Sequence, residues 1–202
     1  MVEYSTVIAA KTRFGVANRR GGNRLWTYDE LAAELPESNL PTELWDGELT
    51  VAPAPSFRHQ EISLRFYKLL DAWVSRKRRG KVVAAPVDMV LSARRSVQPD
   101  VLFVSAERLG IIRESVRGAA DLVAEVLSAG TRRRDRFDKR DLYEQHGVCE
   151  YWIIDPEAQT VEVLWLEAGE YKLAGRWREG ETARSRLLEG FTVPLAALFT
   201  GA

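Results

Sequence analysis

Gln98-Pro99-Asp100-Val101-Leu102-Phe103-Val104 and, shortly after it, Asp121-Leu122-Val123-Ala124-Glu125-Val126-Leu127 decide how this chain folds. Each is an apolar run of strand length that carries an acid well inside it or at its entry. Runs that are apolar on both faces belong to strands covered on both sides, as in the middle of a sheet flanked by helices. Side chains alternate along a strand, so Asp100 shares a face with Leu102 and Val104, and Glu125 with Val123 and Leu127. A carboxylate among such neighbours is costly unless it is partnered. A hard divalent cation held by carboxylate oxygens would partner both acids at once. The plainer alternative is a pair of strand-end acids, solvated or bridged to arginines.

A charged helix, Thr131 to His146, follows the second run. Asp135, Lys139, Leu142, Tyr143 and His146 are spaced by three, four or seven residues, which puts them on one face. Lys139 therefore turns with Leu142 and Tyr143 towards the sheet. Paired only with Asp135, it would contribute a few tenths of a kcal/mol. Arg132, Arg136 and Arg140 form an adjacent stripe that can stay in water, and with Arg133 and Arg134 they are the candidates for phosphate contacts. A stripe of this kind is otherwise an ordinary solvated face. Glu43 can complete an acidic cluster, whereas Asp88, by hairpin parity, is expected to face the other way. His59, near a helix start, is as plausible as a polar cap or core contact as it is as a catalytic group.

Working outward, residues 1–24 read as a mobile N-terminal segment and 25–202 as a single domain. Thr27 and Glu30 form a capping-box pattern for a short helix through Leu31 and Leu35, stopped by Pro36. Asp46-Gly47 joins Glu43-Leu44-Trp45 to Glu48-Leu49-Thr50-Val51 as a two-residue hairpin turn, and Pro53 and Pro55 end the second arm. Ser56 precedes a helix with Ile62, Phe66, Leu69, Leu70 and Trp73 on one face and a basic end at Arg76 to Arg79. Lys81 to Leu91 reads as one long strand, with Val97 to Val104 as its neighbour. Gly147 caps the charged helix, and Tyr151-Trp152-Ile153-Ile154 is a buried strand closed by Asp155-Pro156. Val161 to Leu166 and Tyr171 to Leu173 form an antiparallel C-terminal extension, with Trp177 and Phe191 to Phe199 at the periphery. The fold class is α/β: an α+β mixed sheet with helices on its faces.

The 202 residues are 46% apolar and 29% charged, the make-up of a globular domain. Basic and acidic residues balance at 29 each, which argues against a protein coated uniformly in positive charge. No run is long enough to cross a membrane and no secretory signal stands at the N-terminus, so residence is expected to be cytoplasmic, with no membrane partner. One cysteine, Cys149, excludes an internal disulfide and a cysteine-based metal cluster, and two histidines are too few for a histidine-rich zinc site. Neither a phosphate-cradling glycine loop nor a Gly-x-Ser-x-Gly elbow occurs. Glycoside hydrolysis by two carboxylates ranks low, because the tryptophans read as core residues and not as an exposed sugar platform.

Several motifs occur here in one order: Glu43-Leu44-Trp45-Asp46-Gly47-Glu48-Leu49, Pro53 with His59, Gln98-Pro99-Asp100, Glu125-Val126-Leu127-Ser128, Asp135 with Lys139, and Gly147-Val148-Cys149-Glu150-Tyr151-Trp152-Ile153-Ile154-Asp155-Pro156. Together they resemble the putative restriction endonuclease family of bacteria, within the PD-(D/E)XK nuclease superfamily. The likeness runs from about Trp26 to the C-terminus, and its most specific part is the run from Glu150 to Pro156. It implies a restriction-endonuclease-like core and a Mg²⁺-dependent endonuclease that hydrolyses DNA, with Mn²⁺ as a substitute ion. Asp100 and Glu125 would be the metal ligands and Glu43 an accessory acid. One departure stands out: the superfamily places a lysine two residues after the second acid, and that position here is Leu127. Lys139 would have to supply the ammonium from the next helix. The alternative is a catalytically inactive nuclease-like module that binds nucleic acid or a partner protein. Two-fold pairing of nucleases makes a homodimer a natural expectation, through the N-terminus or the Tyr171 to Trp177 region.

Overall fold

The structure is a computed structural model that describes residues 24–34, 41–52, 54–130 and 132–200. The expected N-terminal segment lies, apart from Arg24, outside the described residues, as do Leu35, Pro36, Pro53 and Thr131. In chain order the elements are α1 (Tyr28–Glu34), the hairpin β1 (Thr42–Trp45) and β2 (Glu48–Val51), and α2 (Phe57–Lys77). Then come β3 (Gly80–Ala84), β4 (Met89–Ser92), β5 (Arg95–Val97), β6 (Val101–Ser105), a 3₁₀ turn (Ala106–Ile111), β7 (Val116–Arg117) and β8 (Leu122–Val126). A π-helical turn (Arg134–Asp138) runs directly into α3 (Lys139–His146). It is followed by β9 (Glu150–Asp155), β10 (Thr160–Glu167), β11 (Glu170–Arg178), β12 (Thr182–Arg184), β13 (Thr192–Pro194) and α4 (Leu195–Phe199). Among the described residues no helix is long and apolar enough to cross a membrane.

The local signals act as their chemistry requires. Thr27 and Glu30 cap each other reciprocally, with Thr27 N–H donating to Glu30 Oε2 at 2.8 Å and Glu30 N–H to Thr27 Oγ1 at 3.3 Å. Asp46 and Gly47 take φ of 51° and 91°, the left-handed pair that a two-residue hairpin needs. Gly47 is also confined, since an added Cβ would lie 3.0 Å from Leu25 Cβ. Ser56 Oγ accepts the His59 N–H and starts α2. Gly147, with φ of 81°, ends α3.

The central mixed sheet has six strands in the order β11-β10-β9-β8-β6-β3, with β8 and β9 parallel and its other pairs antiparallel. A second sheet, β2-β1-β5-β4-β7, carries the N-terminal hairpin. The long strand expected over Lys81 to Leu91 is in fact two strands in different sheets, and so is its neighbour. β3 pairs with β6 in the central sheet, whereas β4 pairs with β5 in the second. The hairpin crosses between the sheets along residues 85–88 on one arm and 98–100 on the other. Each crossing holds a proline, Pro86 or Pro99, which has no N–H to give a ladder. Gln98-Pro99-Asp100 is thus the joint between two sheets, and Asp100 is held where they part.

Alternation along the central strands sorts two cores. Ile62, Phe66, Leu70 and Val74 of α2 cover Leu122, Ala124, Val126, Trp152 and Ile154 on one face. Leu142 and Tyr143 of α3 cover Val123, Leu127, Tyr151 and Ile153 on the other, joined by Met89 and Val97 of the second sheet. The C-terminal segment is not peripheral as expected. Phe191, Val193, Leu195 and Leu198 are buried in the α2 core, and the Phe191 ring lies 6.3 Å from Phe66 and 5.9 Å from Trp152. Most of its residues are apolar, and they are buried against α2 and β9, contacts that local pattern does not reveal.

Glu150 ties this segment down. It is fully buried, and its carboxylate accepts from Trp152 Nε1 at 2.7 Å, Ser185 Oγ at 2.7 Å, Arg186 N at 2.6 Å and Leu187 N at 2.8 Å. Glu150→Ala leaves these donors without an acceptor, and a loss of about 3–5 kcal/mol is expected from urea denaturation. A loss under about 1 kcal/mol would mean that water replaces the carboxylate at no cost.

Candidate active site

The site forms where β8, α3 and the joint between the sheets meet. Ladder pairing of Val101 with Ala124 and Leu102 with Val123 places Asp100 opposite Glu125, one residue beyond the last paired rung. Glu125 lies on the α3 face of the central sheet, as its alternation with Val123 requires. Asp100 is pinned by one oxygen: Oδ2 accepts the Val126 N–H at 2.7 Å and lies 3.2 Å from His59 Nε2.

Lys139 reaches this point from α3 and is buried with the acids. Its Nζ is 2.9 Å from Glu125 Oε1, 2.9 Å from Glu43 Oε1 and 3.8 Å from Asp135 Oδ1. The i, i+4 pair with Asp135 is therefore the longest of its three contacts. Tyr143, one turn further along α3, donates to Glu125 Oε1 at 2.6 Å. Glu43 enters from β1 of the second sheet, where Trp45 Nε1 donates to its Oε2 at 3.0 Å and the Gln98 N–H to its Oε1 at 3.4 Å. Leu127, where the superfamily's lysine would stand, is buried in the α3 core.

One buried ammonium cannot neutralise this many carboxylates. Burial, with repulsion from Asp135 and Asp100, pushes the Glu125 carboxyl well above its usual range despite the attraction of Lys139. Burial opposes the charge on Lys139, but Glu125, Glu43 and Asp135 outweigh it and hold the ammonium well above its ordinary value. For Glu43 burial also opposes the charge, and Lys139 with its hydrogen-bond donors prevails, so its carboxyl lies below the usual range. Among the described residues no three His, Cys, Asp or Glu side chains converge as a ready-made metal-ligand group. Asp100 and Glu125 nevertheless share a feature that suits a ligand. Among the described residues, the polar contacts of Asp100 fall on Oδ2 and those of Glu125 on Oε1, which leaves one oxygen of each uncommitted.

The arginine stripe is drawn elsewhere. Arg132 bridges Asp155 at 2.5 Å and Glu157 at 2.7 Å, and Arg136 bridges Glu162 at 2.9 Å and Asp155 at 3.4 Å. Arg140 is half-buried, with its Nε unpartnered. Arg134, outside that stripe, is the arginine that reaches the acids, 3.6 Å from Glu43 Oε2 and 5.8 Å from the centre of the Trp45 ring. Helical spacing of 3.6 residues misses it because Arg134–Asp138 is a π turn, which adds a residue and rotates the following face. Asp88 accepts from Gln98 Nε2 and from Tyr28 OH, both at 2.8 Å, and thereby links α1 to the joint.

The model of a family described as putative restriction endonuclease, Uma2, matches residues 27–196. A crystal structure of a putative nuclease of the DUF820 group from Anabaena variabilis superposes with a TM-score of 0.73 at 20% identity, over 86% of this chain and 97% of that one. At that identity the likeness establishes a nuclease-like fold. No curated protein matches the sequence. The family model spans most of the chain, from the first helix to the last, and the chain belongs to the putative restriction endonuclease family.

Proposed function

We propose that the chain is a Mg²⁺-dependent endonuclease that hydrolyses DNA phosphodiester bonds at this site. The observation that carries the reading is the pair of uncommitted oxygens, Asp100 Oδ1 and Glu125 Oε2, where Asp100 at the entry to β6 stands opposite Glu125 of β8 beside a buried lysine. These two carboxylates have the hard oxygen chemistry that Mg²⁺ or Mn²⁺ takes, and they would hold the ion. A bound ion of this kind supplies Lewis acidity at a phosphate oxygen and lowers the pKa of a bound water. Tyr143 and Lys139 fix Glu125 in place. Lys139 also brings a compact positive charge to the point where negative charge develops on the phosphate in the transition state. Glu43 holds Lys139 from the opposite side, as an accessory acid. Arg134 reaches towards the same point from the helix that bears Lys139.

A non-catalytic module is the rival, favoured by the pairing of Lys139 with Glu43 and Glu125 and by the burial of Leu127. A supercoiled-plasmid assay separates them. Nicked or linear product with Mg²⁺ and none in EDTA is expected, and no product with either Mg²⁺ or Mn²⁺ would leave the module. Backbone contacts have their own test in EDTA, where nothing is cut. Arg134→Ala should weaken duplex binding alike for all sequences and lower the slope of log K against log salt by about 0.9. Arg132→Ala and Arg136→Ala should lower it less, since acids already offset those charges. An unchanged slope in Arg134→Ala would return that residue to an ordinary role beside Glu43.

A further inference from the structure

His59 comes to the site from the α2 side of the central sheet, the face opposite Lys139. Its place is set by the first turn of α2. The His59 N–H donates to Ser56 Oγ at 3.2 Å, and Ser63 Oγ donates to the His59 carbonyl at 2.9 Å. The side chain is 12% exposed, with Nε2 3.2 Å from Asp100 Oδ2 and Nδ1 buried without a partner. Burial alone would push the ring's pKa down, but the Asp100 carboxylate outweighs it and holds it above the ordinary histidine value.

Asp100 needs such a neighbour. It sits at the joint between two sheets, after Pro99 and before the first residue of β6. Its side chain is oriented by what its own oxygens touch, and among the described residues two polar groups do so: Val126 N–H and His59 Nε2, both on Oδ2. We propose that His59 is a positioning residue for the divalent cation site: it occupies Asp100 Oδ2 together with the Val126 N–H and leaves Oδ1 as the oxygen offered to the ion. This rests on the metal reading above. Outer groups that orient a ligating carboxylate are typically responsible for ten- to a hundredfold in metal affinity.

Calorimetric titration of Mn²⁺ into the full chain tests this without reference to cleavage. His59→Ala should bind Mn²⁺ about ten- to a hundredfold more weakly than the unmodified chain. His59→Gln, whose amide N–H can stand where Nε2 stands, should recover most of the affinity. The two variants should melt at similar temperatures without metal, so a general loss of structure would not separate them. If His59→Ala does not fold, His59→Asn, too short to reach Asp100, takes its place against His59→Gln. Mn²⁺ affinity in the shortened variant equal to that of the unmodified chain, or a glutamine variant as weak as the shortened one, overturns the proposal. An unmodified chain that takes up no Mn²⁺ overturns the metal reading itself and His59's role with it, so the two failures are read from different arms.

Discussion

Lys139→Met is expected to destabilise the metal-free protein by about 3–5 kcal/mol, the cost of leaving a buried ion-pair partner uncompensated. The ammonium is the cation that Glu43 and Glu125 share at 2.9 Å each, and both acids are buried. Urea denaturation in EDTA measures the loss. Millimolar Mg²⁺ should return part of it, because a cation bound only by the folded state stabilises that state by mass action. Metal affinity should hold or rise, since a neighbouring positive charge is gone. Cleavage should fall heavily. Lys139→Arg should recover little of it, because a broad planar guanidinium does not replace a compact point charge between two carboxylates. A stability loss under about 1 kcal/mol, the size of an exposed pair, would show that the acids do not depend on this lysine.

Asp100→Asn and Glu125→Gln are each expected to lower metal-dependent cleavage by about a thousandfold or more, as loss of a principal electrostatic contact at the reacting phosphate does. Single-turnover cleavage measures this, and undiminished cleavage in either variant removes that acid from the site. The effect on stability should be the opposite of that at Lys139. Burial and the like charges of Asp135 and Asp100 already disfavour the ionised form of Glu125, so Glu125→Gln should melt no lower than the unmodified protein without metal. Lys139 would still have Glu43 and Asp135.

Much of this site could be read from residue order, because strand parity is a strict rule. Alternation along Val123 to Leu127 put Glu125 on the face that α3 covers, and helical spacing put Lys139 and Tyr143 on the face that looks back at it. The hairpin at Asp46-Gly47, the capping box at Thr27 and the ends of the main helices were legible for a similar reason. Each rests on a backbone conformation or a capping bond that few residue types supply.

What could not be read depends on contacts between distant segments. Apolar residues continue through residues 81–91, so nothing local tells that the chain passes from one sheet to another there. Pro86 and Pro99 mark the crossing only once the partners of β3 and β4 are known. Glu43 and Glu125 meet at Lys139 from two sheets and from positions far apart in the chain; no periodicity links them, and it is the family resemblance that gave Glu43 its place as an accessory acid. The π turn at Arg134–Asp138 defeats a 3.6-residue wheel, so spacing does not single out Arg134 from the other arginines of the run as the one beside Glu43. The acids that hold Arg132 and Arg136, Asp155 and Glu162, stand 23 and 26 residues further along the chain.

On the function proposed above, Asp100 and Glu125 together hold a divalent cation beside Lys139. Titration of Mn²⁺ into the full chain and into Glu125→Gln, followed by calorimetry, tests it most directly. Saturable uptake by the unmodified chain at or below millimolar Mn²⁺ is expected, with its loss in Glu125→Gln and the fold retained. No uptake by the unmodified chain, or undiminished uptake by the variant, would contradict it.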